Sequence, residues 1–512
     1  MNDVNPNAHA VSSSHISNPL IIIHVTCMIT AYGILMPIGI MASPYDFTSG
    51  LGIRRSKYHV PLSAITVIIA LTGYIFGYGH HMFGIGEGAH EDGNPQGGDH
   101  GGMDDMAKMK MRKRQAGDTS AEHYGWKWKV SAHGALANLL LLMLIVQVSL
   151  GVYRKMVRVR PSIRIKWLTG ALTKNIHSYL GKSHMLLAYI QMVLGFIRLI
   201  EACPGQAFGQ CISHIVMGGS FWWYGGIYLA YLVGSFPSVS RPEWYESIVM
   251  TIWGVINFSI LHQWGTRWSH ADLQHTSLGL LWVGGGVLSL FIESKYNPLA
   301  QFTIRKNPIP SLLIILTGYA MGQHTQYYMF ATMVHTFFGY TLMLGGVCRL
   351  IQLALRPSVS PVEVAQSRLD DEDDTTLEDE DLRVKPRTHP RPGNENVPGI
   401  ANGETPVSAF FGFLSVLGVV SGGLLFQSAH EEQLNIVMYY LMDASTYTNW
   451  IMAFSFTSVA YMLLLTQVGK KSLAETNTKA YNRVRTNVDS EDRGLALTQE
   501  DIEMSGHLAA DE

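Results

Sequence analysis

Four histidines stand where apolar helices could bring them to a redox metal. His24, His59, His133 and His177 each lie near one end of a long apolar stretch. Polar side chains inside such stretches are costly and mark functional positions by default. A neutral imidazole binds a metal through one ring nitrogen while the other donates a hydrogen bond. Two such rings on facing helices can hold one haem iron from both sides. The residues after two of these histidines repeat. Gln147 and Gly151 follow His133 by 14 and 18 positions, and Gln191 and Gly195 follow His177 by the same intervals. That match favours His177 as the ligand of its helix. His184 stays open as the alternative: seven residues on, at ~100° per residue, it points within about 20° of His177 and lies roughly 10 Å deeper.

A second pattern, His-x-x-x-Gly, occurs at His177/Gly181, His214/Gly218, His275/Gly279 and His335/Gly339. The glycine lies one turn along on the same helix face. It either opens flat space in which a porphyrin could lie or serves close helix packing, as glycine commonly does in membranes. Beyond the first four spans, His214, His262, His275, His324 and His335 all fall near one side, so the alternation of the first four is lost. A second complete two-haem wire is therefore not expected. Three readings of this half stay open: one further haem on His275 and His335, a metal site of His262, His270, Asp272 and His275, or histidines bonded to carbonyls and water. The segment holding His80, His81, His90, His100 and His123 reads as a polar loop, with loose gathering of metal ions as the alternative.

The elements that must position these residues are membrane helices. Charged residues make up 15% of the 512, against about 25% in an average soluble domain. Crossing ~30 Å of hydrocarbon takes about 20 apolar residues. Such stretches occur at 20–41, 61–78, 132–153, 179–200, 212–236, 244–261, 276–292, 309–321, 328–353, 407–426 and 450–465. That makes eleven spans, or ten if 309–321, short and set between Pro308, Pro310 and Gln323, is re-entrant. The fold class is thus all-α: a polytopic transmembrane protein of about 11 spans, the first four a four-helix bundle. The expected organisation is a polar N-terminus (1–19), the four-helix region (20–200), a second multi-span region (201–353), an acidic disordered linker (354–405), a C-terminal helix pair (406–468) and a solvated tail (469–512). The partner these features imply is the lipid bilayer. A net charge of -2 excludes nucleic acid, whose phosphates need a strongly basic face.

Lysine and arginine in short loops mark the cytoplasmic side. Arg154, Lys155, Arg158, Arg160, Arg164, Lys166 and Lys174 follow the third span, Arg54, Arg55 and Lys57 the first, and Lys295, Arg305 and Lys306 the seventh. That side is the cytoplasm, the N-terminus faces the lumen or exterior, and the C-terminus is cytoplasmic. The basic cluster Lys108–Arg114 falls on the other side, in a long loop of the kind that obeys the charge rule poorly. No secretory signal precedes the first span, which is expected to serve as its own insertion signal. His24 and His133 then approach the exterior face, and His59 and His177 the cytoplasmic one. Two metal sites stacked this way would span the bilayer. Cys203 and Cys211 fall on the exterior side, where an oxidising compartment would let them pair. They are either a disulfide or two separate small residues.

From His24 the first span reads HVTCMITAYGILMPIG, ending at Gly39. It resembles the first core helix of the cytochrome b561 family, His-Gly-x-Leu-Met-x-x-Ala-Trp-Gly-x-Leu-x-Pro-x-Gly. The match falls on Met28, Ala31, Gly33, Leu35, Pro37 and Gly39, with Val25 in place of glycine and Tyr32 in place of tryptophan. The second span departs further, since the glutamine that usually follows its histidine is missing. The likeness covers roughly residues 20 to 200. The whole chain resembles the fungal Ytp-one-like membrane proteins, which join such a region to a second multi-span region through an acidic linker. The b561 resemblance implies two haem b groups, His24 paired with His133 and His59 with His177. It also implies electron transfer from cytosolic ascorbate to an acceptor on the other face, such as ferric iron or monodehydroascorbate. Arg54, Arg55, Lys57, Lys174 and Lys182 would then hold the anionic donor, or serve only to set topology. Two functions follow: a b-type haem protein moving electrons across the membrane, or a haem-free transporter or scaffold that keeps the bundle.

Overall fold

The computed structural model describes residues 18–43, 58–83, 131–165, 167–168, 170–200, 202–203, 208–235, 242–260, 268, 270–294, 296–297, 306–323, 328–356, 404–441 and 443–471. Every regular element among them is a helix. Inside hydrocarbon each backbone N–H and C=O must be bonded within the chain, and a helix does this without help from another segment. The helices group into two compact units. The first takes in the described parts of Met1–Met36 and Ser63–Leu199, the second those of Pro37–Leu62 and Ile200–Glu512. Residues 357–403 of the acidic linker, the tail beyond 471 and residues 84–130 between the second and third spans lie outside the described residues.

Local chemistry sets the ends and the irregularities. Helix α1 (Pro19–Met41) starts at Asn18, whose Oδ1 accepts the Leu20 N–H at 2.9 Å. Pro19 follows at the first helical position, where a missing N–H costs nothing. Its middle turn, Ile29–Leu35, is π-helical and runs up to Pro37. Proline offers no N–H to the carbonyl one turn back and its ring crowds that carbonyl, so a wider turn relieves the clash. Helix α2 (His59–Phe83) returns. Helix α3 (Ala132–Val159) is capped by Ser131, whose Oγ accepts the Gly134 N–H at 3.1 Å. A turn of 3-10 helix (Pro161–Ile163) leads to α4 (Gly170–Leu199). These four helices bury only 6 to 17% of their apolar windows against other protein.

The second unit holds α5 (Phe208–Leu232), α6 (Pro242–Ile260), α7 (His270–Glu293), α8 (Ile309–Gly322), α9 (Met329–Leu355), α10 (Pro406–Gln427), α11 (Glu431–Leu441) and α12 (Ala444–Lys471). Each apolar stretch read from the sequence is a helix here. Among the described residues eight helices are long and apolar enough to cross a membrane, and the protein is a polytopic helical membrane protein. Helix α8 has 14 residues, ~21 Å at 1.5 Å per residue and so short of the hydrocarbon thickness. It is largely enclosed: Leu313, Ile314, Thr317 and Met321 are buried, and Trp282 Nε1 donates to Thr317 Oγ1 at 2.7 Å. Helix α11 was not legible in the sequence.

What holds the second unit together is glycine meeting glycine. A Cβ on Gly423 would stand 2.7 Å from Gly218 O, and one on Gly218 would collide with Gly423 O in turn. The same reciprocity joins Gly254 to Gly279, Gly318 to Gly339 and Gly345 to Gly418. Four crossings, α5 on α10, α6 on α7, α8 on α9 and α9 on α10, are thus in backbone contact. Lipid is as apolar as leucine, so helices in a bilayer gain by packing backbones closely rather than by expelling water. Helix α10 is accordingly a central helix of this unit. Cys203 and Cys211 form a disulfide with Cα atoms 5.2 Å apart, and Cys203 takes the left-handed backbone, φ 62°. Of the two accounts open for these cysteines, pairing is the one observed.

Gly218→Leu is expected to break the α5–α10 crossing and cost about 1–3 kcal/mol or more of overpacking, seen as a lower melting temperature and an aggregated fraction on size exclusion in detergent. Gly284, where an added Cβ meets nothing within 4 Å, is the control: Gly284→Ala should leave both readouts unchanged or slightly improved.

Candidate functional site

Two clusters of polar side chains are built into the helices, one in each unit. In the first unit α3 and α4 run antiparallel, and the sequence repeat turns out to be a reciprocal embrace. Gln147 Nε2 donates to His177 O at 3.0 Å, and Gln191 Nε2 donates to His133 O at 2.9 Å. A Cβ on Gly151 would lie 3.5 Å from His177 Cε1, and one on Gly195 would lie 3.0 Å from His133 Cε1. Each helix thus offers a glutamine and a glycine to the histidine of the other, which is why the spacings agree.

The structure brings His24 and His133 together. Their ring centroids are 6.3 Å apart with planes at 88°. His24 Nδ1 lies 2.7 Å from Gly73 O. A carbonyl can only accept, so Nδ1 carries the proton and Nε2 keeps its lone pair. Gly77 is required beside this ring, since its Cβ would stand 2.5 Å from His24 Nδ1. His59 makes the matching bond, its Nδ1 2.8 Å from Gly39 O. His59 belongs to the second unit and His177 to the first, and each is described within its own. His184 is buried and stacks on Tyr32 with centroids 5.6 Å apart at 22°; Tyr32 is part of the π-helical turn.

Past the first four helices the His-x-x-x-Gly pattern serves packing. Gly218, Gly279 and Gly339 are three of the crossing glycines, and backbone of a neighbouring helix fills the space beside each. No flat gap for a porphyrin opens there. His214 stacks on Phe426 at 4.6 Å and meets His335 edge-on at 5.8 Å, while His335 Nδ1 donates to Ala331 O at 2.8 Å. His335 thus bonds to a carbonyl and His214 packs on an aromatic ring, while the metal reading of His262, His270, Asp272 and His275 falls largely on side chains outside the described residues. Among the described residues no group of three or more His, Cys, Asp or Glu side chains could hold a metal ion. His262, His324 and the polar loop with His90, His100 and His123 lie outside the described residues, as do the side chains of His80, His81, His270 and Asp272.

The second cluster was missed from the sequence. Arg349 on α9 donates through Nη2 to Glu243 Oε1 at 3.0 Å and lies 3.3 Å from Glu246 Oε1, both on α6. Arg356 joins Glu243 at 3.1 Å and donates through Nε to Glu404 Oε1 at 2.8 Å. Tyr224 OH donates to Glu246 Oε1 at 2.8 Å. Tyr228 OH bridges Arg349 and Gln352, and Ser408 Oγ donates to Glu404. The Arg349 side chain is 4% exposed, Glu243 6% and Glu246 7%. The signal was available: Arg349 lies within an apolar span and the two glutamates open another, and ionisable residues at such depth mark functional sites. A small cavity adjoins the network, lined by Tyr224, Glu246, Ser311, Arg349 and Ser415 among others.

Over residues 187–470 the chain matches the family described as Protein YTP1-like, C-terminal, and over residues 4–84 a domain of unknown function, DUF2427. It is 31% identical to Protein YTP1 of Saccharomyces cerevisiae over 293 residues, 56% of this chain and 53% of that protein. It is 23% identical over 437 residues to an uncharacterized membrane protein of Schizosaccharomyces pombe, covering 67% of this chain and 81% of the other. A further uncharacterized membrane protein of S. cerevisiae is 32% identical over 126 residues, 21% of this chain and 20% of that one. The match thus spans about half the length of Protein YTP1. No solved structure matches.

Removing one partner of a buried ion pair strands the other, at about 3–5 kcal/mol. Arg349→Ala is therefore expected to abolish a folded, monodisperse protein or lower its melting temperature sharply. Arg349→Lys should recover part of the loss, because an ammonium cannot reach two carboxylates and a phenol as a guanidinium fork does. The triple change Arg349→Met, Glu243→Gln, Glu246→Gln should be more stable than Arg349→Ala, since no charge is then left unpaired.

Proposed function

For this chain, which belongs to the YTP1-like family of membrane proteins, we propose that His24 and His133 hold a b-type haem and that the first four helices carry an electron through the membrane. The observation that carries this reading is the meeting of the two rings, 6.3 Å between centroids. A metal–imidazole bond is ~2 Å and the ring centre lies ~1 Å behind the nitrogen, so two imidazoles sharing one ion stand ~6 Å apart. The tautomer of His24 fits as well: with its proton held on Nδ1 by Gly73 O, Nε2 is the free ligand, the arrangement in which an outer partner orients a metal-binding histidine. Gly77 and Gly195 leave the space these rings occupy. When bound, a haem supplies a one-electron couple of the iron. The chain's own contribution is to fix the two rings and to keep the bilayer around them dry.

The disulfide between Cys203, in the connection after α4, and Cys211, in the first turn of α5, supports an oxidising lumen or exterior at that end of the span, the side to which the loop charges assign His24 and His133. Ascorbate as cytosolic donor and ferric iron or monodehydroascorbate as acceptor rest on the b561 resemblance of residues 24–39 alone.

One observation favours a second reading. Gln191 Nε2 also lies 3.0 Å from His133 Nδ1. An amide N–H donated to Nδ1 puts the imidazole proton on Nε2 and uses the Nδ1 lone pair, which leaves neither ring nitrogen free for a metal. The bundle would then be a haem-free scaffold or transporter in which His133 is a structural acceptor. Exchanging the nitrogen and oxygen of that amide would restore the tautomer a metal needs, at the loss of the bond that Nε2 donates to His133 O.

The full chain, expressed with haem supplied and purified in mild detergent, should show a b-type band in its dithionite-reduced minus oxidised spectrum. His133→Ala and His24→Ala should each remove one haem while size exclusion shows the fold intact. No band in the parent protein, or unchanged haem in both variants, sinks the haem reading and leaves the scaffold or transporter.

A further inference from the structure

The buried network of the second unit does not balance its charges. Ionised Glu243, Glu246 and Glu404 bring three negative charges, and Arg349 and Arg356 bring two positive ones. Among the described residues the other titratable groups near it are the phenols of Tyr224, Tyr228 and Tyr231 on α5 and the half-buried ammonium of Lys306, which donates to the carbonyls of Ala354 and Arg356 rather than to a carboxylate. Helix α8 contributes Ser311, and α10 contributes Ser408 and Ser415, none of them charged. One negative charge is left over where the glutamate side chains are 1 to 7% exposed. An unpaired charge at that depth is strongly unfavourable, and such a group neutralises instead.

The geometry singles out one carboxyl. Glu243 meets both guanidinium groups, at 3.0 and 3.1 Å. Glu404 accepts on both oxygens, from Arg356 and Gln352 on Oε1 and from Ser408 on Oε2. Glu246 differs in its donors: its Oε1 receives one guanidinium, from Arg349, and one neutral phenol, from Tyr224, whereas both donors to Glu243 are guanidiniums. Of the three acids it alone lines the small cavity. On the wall of that cavity Ser311 Oγ is 3% exposed and has no hydrogen-bond partner among the described residues. Arg349 Nε is likewise without one.

We propose that Glu246 is a reversible proton-binding site inside the membrane unit, taking one proton from water on Oε2 and presenting it to the cavity that Ser311 lines. The step adds H⁺ to a carboxylate and changes no bond but that O–H. With the proton on, the network is neutral. With it off, Glu243 and Glu246, three residues apart on one face of α6, repel each other while sharing Arg349. Proton loss therefore loosens α6 against α9. A buried carboxyl that gains and loses a proton in step with helix packing is the elementary part of proton-coupled transport. The alternative source of the missing positive charge is a small monovalent cation in the same cavity.

Infrared spectra of the full chain in detergent, taken in H₂O and D₂O near neutral pH, test this. The parent protein should show the C=O stretch of a protonated carboxylic acid, shifted down in D₂O and lost as pH is raised. Glu246→Gln should abolish the band, and Asp443→Asn, at an exposed carboxyl outside the network, should keep it. No such band in the parent, or its survival in Glu246→Gln, overturns the assignment. Melting temperature supplies the second measurement: it should fall with rising pH in the parent, whatever the salt. A melting temperature that follows Na⁺ or K⁺ and ignores pH gives the missing charge to a metal cation and overturns the proposal. Should Glu246→Gln fail to fold, the alkaline loss of the band in the parent decides.

Discussion

Hydrocarbon holds no water, so a polar group inside it must find its partner in the chain. Both units are solutions to that one constraint. In the first unit each histidine ring or carbonyl meets a group on another helix: His24 with Gly73 O, Gln147 with His177 O, Gln191 with His133 O. In the second, Arg349 draws two glutamates and a tyrosine into one network. The groups that answer each other are far apart in sequence, so only helix packing can bring them together. The polar pairs in turn fix which helices face which.

That dependence explains the glycines. Arg349 can reach α6 and Tyr228 only if α9 lies close to its neighbours. One turn before it, Gly345 lies against Gly418 of α10, and a Cβ on Gly346 would stand 3.0 Å from Ser311 O of α8. Close approach carries the charge network, and the network ties together helices that apolar contact alone would let slide, because lipid competes equally well for leucine. The two units solve the constraint at different packing densities. The first four helices bury 6 to 17% of their apolar windows, whereas α10 buries 61%. A unit joined by a few polar contacts leaves room between its helices, and one locked at glycine crossings does not.

Much of this was legible in one sequence. Span positions follow from apolar length, the strongest signal a membrane chain gives, and Asn18, Ser131 and Pro37 mark ends and a distortion by their local chemistry alone. The repeat of His133, Gln147 and Gly151 in His177, Gln191 and Gly195 was visible as spacing. Its meaning, two antiparallel helices serving each other's histidine, needed the helices side by side. The His-x-x-x-Gly pattern misled in the second unit because a glycine looks the same whether a cofactor or a backbone fills the space beside it. The charges of the ion network stood out in their spans, but which of them pair was illegible for a different reason. Glu243, Arg349 and Glu404 are separated by more than a hundred residues and by about fifty, and a single sequence does not say which spans are neighbours. Helix α11 was missed because its mixed polar and apolar residues, EEQLNIVMYYL, are too short a run to stand out from a loop.

Packing also bears on which chemistry each unit can hold. A planar cofactor needs helices that stand apart around small residues. Beside Gly77 and Gly195 the nearest atoms are those of imidazole rings, whereas beside Gly218, Gly279 and Gly339 neighbouring backbone already fills the space. What close packing does allow is a buried carboxyl held by fixed donors, where an uncompensated charge is expensive enough that the charge state and the helix positions become one variable. The proposed electron transfer and the proposed proton binding thus fall to different units for the same physical reason: hydrocarbon makes an unpartnered charge or polar group costly, and each unit has a different means of supplying the partner.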